Sequence, residues 1–192
     1  PEGQAIVHKL LAGADVMVEN FRPGVLKKYG FDYASVAAKY PKQRAASVDY
    51  MKSVVNMVHE LEGHEITIVP ATVGKVVPDG TEEEEWGWVV EAAKECFAHA
   101  QKKGVRIAIE PLNRFECYLL NTCEQSSAYL ERLGEDGFGI LYDTFHANIE
   151  EKDPLAAFHS AWAKGHVNHV HISENDRGTP GRGHAKIAET IG

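Results

Sequence analysis

Strand-like and helix-like patterns alternate along residues 48–192, and this alternation limits the fold more than any other feature of the sequence. The strand-like segments are short apolar runs, at residues 65–70, 105–110, 139–143 and 167–173. The helix-like segments carry an apolar stripe and lie before or between these runs, at residues 50–61, 82–103, 123–133 and 155–164. Because strands alternate with helices, we expect a parallel sheet with helical crossovers.

The spacing of these units favours a barrel over an open sheet. Glu110, Asp143 and His171 follow one another at intervals of about thirty residues, the length of one unit in a (β/α)8 barrel of ~250 residues. No G-x-G-x-x-G motif follows a strand, so the main signature of a dinucleotide-binding fold is missing. About four units are visible. The sequence therefore predicts an α/β fold, a partial (β/α)8 TIM barrel over residues 46–192.

Helix boundaries in this region have chemical signals of their own. Thr81 followed three residues later by Glu84 predicts a capping box. The acidic run at residues 82–85 is then favourable charge at a helix N-terminus, which is a more ordinary role than metal binding. Lys103 and Gly104 predict the end of the same helix.

Each of the last three predicted strands presents a polar side chain to the barrel axis near its carboxyl end. Alternate residues of a strand face opposite sides of the sheet. This alternation places Glu110 and Asp143 on the axial side of their strands. In the last strand it places Val167, His169 and His171 on that side. Active sites of TIM barrels are built at this end of the strands.

The residue types Glu, Asp and His suit a divalent cation. Two carboxylates and one imidazole form a donor set for Mn²⁺, Mg²⁺ or Co²⁺. A buried ion pair between an aspartate and a histidine would use the same residue types, so these residues alone leave both interpretations open. His169 has no assigned role and is either a support for the site or a structural residue.

The composition of the chain argues against nucleic acid and membranes as partners and favours one cellular compartment. A formal net charge of -8 argues against nucleic acid as a partner, because phosphate binding needs a basic face. No apolar run is long enough to span a bilayer, and nothing at the N-terminus marks a secreted protein. Three cysteines without a C-x-x-C pair argue against a zinc finger or a disulfide framework and favour the cytoplasm.

Three extended motifs resemble one branch of the xylose-isomerase-like barrels. They are EPLNRFE from Glu110, DTFH from Asp143, and HVHISENDRGTPG from His169, and they occur in this order. The set is similar to that of the D-tagatose 3-epimerases and D-psicose 3-epimerases. Hydroxypyruvate isomerases and endonuclease-IV-type enzymes share the barrel without these motifs. The resemblance covers residues 46–192.

This resemblance implies a chemistry and a set of roles. The enzyme would be an isomerase that epimerises a free ketose at C3 through an enediolate, by proton exchange on two faces of the sugar. The resemblance assigns Mn²⁺ first, with Mg²⁺ or Co²⁺ as alternatives, and leaves a homo-oligomer open. Metal ligands would be Glu110, Asp143 and His171, with Glu110 also an acid–base group, and the ketose would contact Glu116, His146 and Arg177.

The chain departs from this family pattern in one respect. The family's last metal ligand, which is also its second acid–base glutamate, lies on strand 8, and strand 8 is missing from residues 46–192. Two-face proton exchange would then lack one partner. We therefore expect epimerase activity of the parent protein and little activity of the 192-residue chain.

Residues 1–42 resemble a different family. The segment GADVMVENFRPGV at residues 13–25 is similar to a stretch of the class III CoA-transferases, in which Asn20 and Phe21 would lie near CoA. The carboxylate that carries the acyl group comes from a later part of that family, and nothing after Pro41 matches it. We predict that residues 1–42 are a fragment of a different protein, joined to the barrel either by a natural fusion or by an assembly artefact. The alternatives to the ketose 3-epimerase function are a CoA-transferase fragment and an inactive fusion fragment.

Overall fold

The secondary structure follows the predicted alternation of strands and helices. A computed structural model describes residues 2–11, 41–71, 73–78 and 80–191. Its helices are α1 (Glu2–Leu11), α2 (Pro41–Glu60), α3 (Glu82–Lys103), α4 (Cys123–Leu133), α5 (Thr144–Glu150), α6 (Pro154–Ala163) and α7 (Ile187–Ile191). Its strands are β1 (Glu65–Ile68), β2 (Arg106–Ile109), β3 (Phe138–Asp143) and β4 (Val167–His171). The CoA-transferase-like motif at residues 13–25, with Asn20 and Phe21, lies outside the described residues.

The four strands form one parallel sheet in the order β1-β2-β3-β4. Helices α3 and α4 follow the first two strands and pack on the sheet. The core between sheet and helices is apolar, and Ile107, Ile109 and Ile140 in it are 0% exposed. This is the architecture of part of a (β/α)8 barrel, as the alternation predicts. None of the helices in the part of the chain that the structure describes combines the length and the apolar character of a membrane span.

The capping signals in the sequence are confirmed. The Thr81 hydroxyl accepts a hydrogen bond from Glu84 N, and the Glu84 carboxylate accepts one from Thr81 N at 2.8 Å. The same helix ends at Gly104 in the left-handed conformation, with φ of 67°. A second capping box, between Thr122 and Gln125, starts α4. Both helices are thus delimited by local chemistry that is visible in the sequence.

The regular alternation fails at one point in the last strand. Ile140 pairs with Val167 while its neighbour Leu141 pairs with His169, so Asn168 is an extra residue in β4. This β-bulge turns Val167 toward the helices, where it packs against the apolar core. The predicted axial position of Val167 is therefore wrong. His169 keeps its predicted side.

A glycine accommodates this bulge. A Cβ atom on Gly139 would lie 2.1 Å from the Asn168 Cγ atom, so only a residue without a side chain leaves room for the Asn168 amide. Gly139 pairs with Ala108 on the neighbouring strand, another small residue. Small residues on β2 and β3 thus make space for a polar side chain from β4.

The start of one helix and the presence of another differ from the sequence prediction for identifiable reasons. Helix α2 begins at Pro41 and not at residue 50. Residues 42–47 carry no apolar stripe, and proline is tolerated in a first turn because its missing N–H needs no partner there. Helix α5 was not predicted, because its seven residues are too few to show a period.

Loss of the second capping box should weaken the fold. In Thr122→Ala, the N–H of Gln125 loses the hydroxyl that accepts its hydrogen bond at 3.2 Å. We expect the free energy of unfolding to fall by about 1 kcal/mol. Thr122→Ser keeps the accepting oxygen and is the matched control, with a smaller loss expected. Denaturant unfolding measures both, and equal losses would show that the hydroxyl contributes nothing.

Candidate metal and substrate site

The carboxyl ends of β2, β3 and β4 bring three predicted side chains together. Glu110, Asp143 and His171 each offer one donor atom, and these atoms all lie within 4.8 Å of one another. The His171 Nδ1 atom lies 3.8 Å from Glu110 Oε1 and 3.8 Å from Asp143 Oδ2. Parallel pairing explains the convergence, because Asp143 is the register partner of His171 and Glu110 extends the ladder by donating to Ile68 O at 2.9 Å.

Charge and burial at this point favour a cation. Asp143 is only 8% exposed, and the Glu110 side chain is almost as well covered. Burial, reinforced by the negative charge of Asp143, raises the pKa of Glu110 to about 7. Two carboxylates held close together without full solvation are stabilised by a positive ion between them. The oxygen and imidazole donors present therefore fit a divalent metal.

Asp143 has two separate tasks. Its Oδ1 atom accepts a hydrogen bond from Phe145 N at 2.8 Å and caps helix α5. Its other oxygen, Oδ2, faces His171. Strand β3 therefore ends at Asp143, and helix α5 begins at the next residue. Because the helix cap uses Oδ1, the oxygen that remains available to the site is Oδ2.

His146 lies next to this cluster with a defined tautomer. Its Nδ1 atom lies 3.1 Å from Asn113 N, and because a backbone N–H can only donate, Nδ1 is the acceptor. The ring proton of the neutral form is then on Nε2, which lies 4.0 Å from Glu110 Oε1. Burial lowers the pKa of His146, which favours this neutral form.

Glu116 and Arg177 form a pair beside His146. Arg177 Nη2 donates to Glu116 Oε1 at 2.9 Å, and the guanidinium lies 4.0 Å from the ring centroid of Phe145. Asn113 Nδ2 also donates to Glu116, at 3.0 Å. Although burial opposes ionisation, these two hydrogen bonds hold the pKa of Glu116 below its ordinary value. The pair is a charged, half-exposed edge of the site.

The structure thus gathers all six predicted site residues at one end of the sheet. His169 lies on the same strand face, where its Nδ1 atom is 3.4 Å from Glu65 Oε1 and its ring centroid is 5.2 Å from that of His171. Sequence reasoning missed Asn113, which links His146 and Glu116, and Phe145, which stacks on Arg177. Asn113 belongs to the motif EPLNRFE and Phe145 to the motif DTFH, so membership in these motifs was the sequence signal that could have identified them.

Fold and site together define an α/β protein of the parallel-barrel type with a candidate three-ligand cation site at the strand ends. The chain belongs to the xylose isomerase-like TIM barrel family, whose sequence profile matches residues 17–191. This match begins inside the segment predicted to be CoA-transferase-like, and the relatives below give that resemblance no support. The division at residues 1–42 and 46–192 stays a prediction.

Individual relatives are sugar epimerases. The chain is 32% identical over 145 residues to the L-ribulose 3-epimerase of Mesorhizobium japonicum, covering 75% of this chain and 48% of the relative. It is 36% identical over 96 residues to the D-psicose 3-epimerase of Enterocloster bolteae, covering 50% of this chain and 31% of the relative. A solved structure of an L-ribulose 3-epimerase aligns with a TM-score of 0.70 at 30% identity, covering 83% of this chain and 51% of that one. The chain spans about half of the length of the first of these relatives and less of the second.

Proposed function

We propose that these residues form the metal-binding half of the active site of a ketose 3-epimerase. The observation that carries the proposal is the convergence of Glu110, Asp143 and His171 donor atoms within 4.8 Å. The similarity to L-ribulose and D-psicose 3-epimerases supports the reaction class. Because the chain spans only part of those relatives, the activity is proposed for the protein to which these residues belong.

The three converging residues would hold one divalent cation, with Mn²⁺ first and Mg²⁺ or Co²⁺ as alternatives. Glu110 would contribute a carboxylate oxygen, Asp143 its Oδ2 atom, since Oδ1 is used by the helix cap, and His171 its Nδ1 atom. When bound, such an ion acts as a Lewis acid that stabilises negative charge on the oxygens of the sugar. No other cofactor is needed for the reaction.

The other site residues would bind the ketose, and Glu110 would also move its proton. Epimerisation removes a proton from the carbon beside the ketone and returns one to the opposite face, so it needs a base on each face. Glu110 lies at the centre of the site and would serve one face. His146 would donate through Nε2–H, and Arg177 through its guanidinium, to oxygens of the sugar. Glu116 would accept a hydroxyl hydrogen bond while holding Arg177.

The proposal also covers the partner, the metabolic role, the compartment and the oligomeric state of the enzyme. Its partner would be a small free sugar, and its role would lie in carbohydrate metabolism. Cys96, Cys117 and Cys123 are free and buried, which suits the cytoplasm. A homo-oligomer is compatible with this function.

Removal of one proposed ligand should weaken metal binding. Asp143→Asn keeps an oxygen for the helix cap and removes the negative charge that faces His171. We expect the dissociation constant for Mn²⁺ to rise by at least about tenfold. Asp136→Asn makes the same chemical change at an exposed position away from the site. Calorimetric titration of both variants beside the unmodified chain is the measurement, and equal affinities would remove the site assignment.

Proton exchange at C3 tests the reaction itself. The protein from the complete reading frame, with Mn²⁺, is expected to convert D-fructose to D-psicose in deuterated water and to place deuterium on C3. Glu110→Gln should lower the rate by roughly 100-fold or more, since it removes an acid–base group. Glu131→Gln, whose side chain pairs with Lys164 on the surface, is the control. Mass spectrometry of the product gives the result, and epimerisation without deuterium at C3 would contradict the proposed chemistry.

A further inference from the structure

Arg177 lies on a long loop between β4 and α7, residues 173–185, here called the arginine loop. The entry to this loop is fixed by Thr144. Its hydroxyl donates to Ser173 O at 2.7 Å and accepts from Ser173 N at 2.9 Å. The first residue of the loop is therefore tied to the residue that follows Asp143. The rest of the loop needs its own means of closure, because it contains no helix or strand.

Glu174 provides that closure from the inside of the loop. Its side chain is buried, with the residue only 1% exposed. Its Oε1 atom accepts from Gly181 N at 2.6 Å, and its Oε2 atom accepts from Ala185 N at 3.0 Å. One carboxylate thus connects the start of the loop to its middle and to its end. Carboxylate bonds to backbone N–H groups are among the stronger hydrogen bonds in proteins.

The loop backbone is shaped around this carboxylate. A Cβ atom on Gly183 would lie 2.4 Å from Glu174 Oε2, so the loop approaches more closely than any other residue type permits. Asn175 Oδ1 accepts from His184 N at 3.0 Å and closes the same stretch from the next position. Backbone donors, Ala185 foremost, lower the pKa of Glu174, so the group is a carboxylate at neutral pH.

Arg177 has a backbone conformation that needs such support. Its φ is 61°, in the left-handed region that residues other than glycine rarely occupy. Strained conformations of this kind persist where the surrounding structure over-determines them. The backbone of Glu174 supplies two of the constraints. Its carbonyl accepts from Arg177 N at 2.9 Å, and its N–H donates to Gly178 O at 3.2 Å.

We propose that Glu174 is a positioning residue, whose buried carboxylate closes the arginine loop and so holds the Arg177 guanidinium against Glu116 and the site. The part of this inference that concerns the sugar rests on the proposed function. The part that concerns the loop does not. A buried carboxylate is costly unless it is fully bonded, and here its bonds go to the loop that carries Arg177.

Limited proteolysis of the full chain tests the closure without reference to activity. Glu174→Gln preserves the shape but replaces one accepting oxygen with an NH₂ group that faces a backbone N–H. We expect trypsin to cleave after Arg177 and Arg182 about tenfold faster, the consequence of losing a hydrogen bond to a charged group. Glu189→Gln makes the same change at an exposed position and should leave cleavage unchanged. Equal cleavage of the two variants would overturn the proposal.

A double-mutant cycle separates positioning from general stability. Glu174→Gln should lower kcat/KM by about tenfold in the Mn²⁺-loaded protein from the complete reading frame and leave Mn²⁺ affinity unchanged. In the Arg177→Ala background, the same substitution should have no further effect on kcat/KM. An undiminished effect in that background would show that Glu174 does not act through Arg177. Absence of turnover in the unmodified protein would refute the proposed function, and the proteolysis result would then decide the role of Glu174 in the loop.

Discussion

The whole site depends on the backbone ladder that joins β2, β3 and β4 in parallel. Because parallel strands end at the same edge, the ladder brings together side chains that are far apart in sequence. The pairing of Asp143 with His171 and the hydrogen bond from Glu110 N to Ile68 O determine the register of these three residues along the strands. A slip of one residue would turn a ligand toward the helices. The bulge at Asn168 is therefore placed before His169, where it changes the side of Val167 and leaves His171 on the axis.

The convergence of these side chains places several carboxylates close together, and the structure compensates their negative charge in two different ways. Glu116 is balanced within the protein, because Arg177 and Asn113 donate to its carboxylate. Glu110 lacks a bond of that kind among the hydrogen bonds found in the described residues, and burial beside Asp143 raises its pKa. The first carboxylate is thus held as an anion by the protein itself. The second lies where an external cation would relieve the repulsion.

The sequence predicted those features whose causes are local or periodic. Strand alternation located Glu110 and Asp143, and the capping box at Thr81 marked a helix start. Features that depend on contacts between distant parts of the chain were not predictable from local or periodic patterns. Val167 was misplaced because the bulge depends on the room left by Gly139 on the neighbouring strand. Asn113 was missed because its importance comes from a contact with a histidine that is 33 residues away.

Two of the functional side chains, Asp143 and His146, are oriented by backbone N–H groups, and this has a chemical consequence. Such a group can only donate, so it decides which atom of its partner is an acceptor. Phe145 N fixes the oxygen of Asp143 that remains for the site, and Asn113 N fixes the tautomer of His146. Substitution of a neighbouring side chain does not remove a backbone donor. The fold therefore determines the donor and acceptor roles of Asp143 and His146 directly, whereas Glu116 depends on the side chains of Asn113 and Arg177.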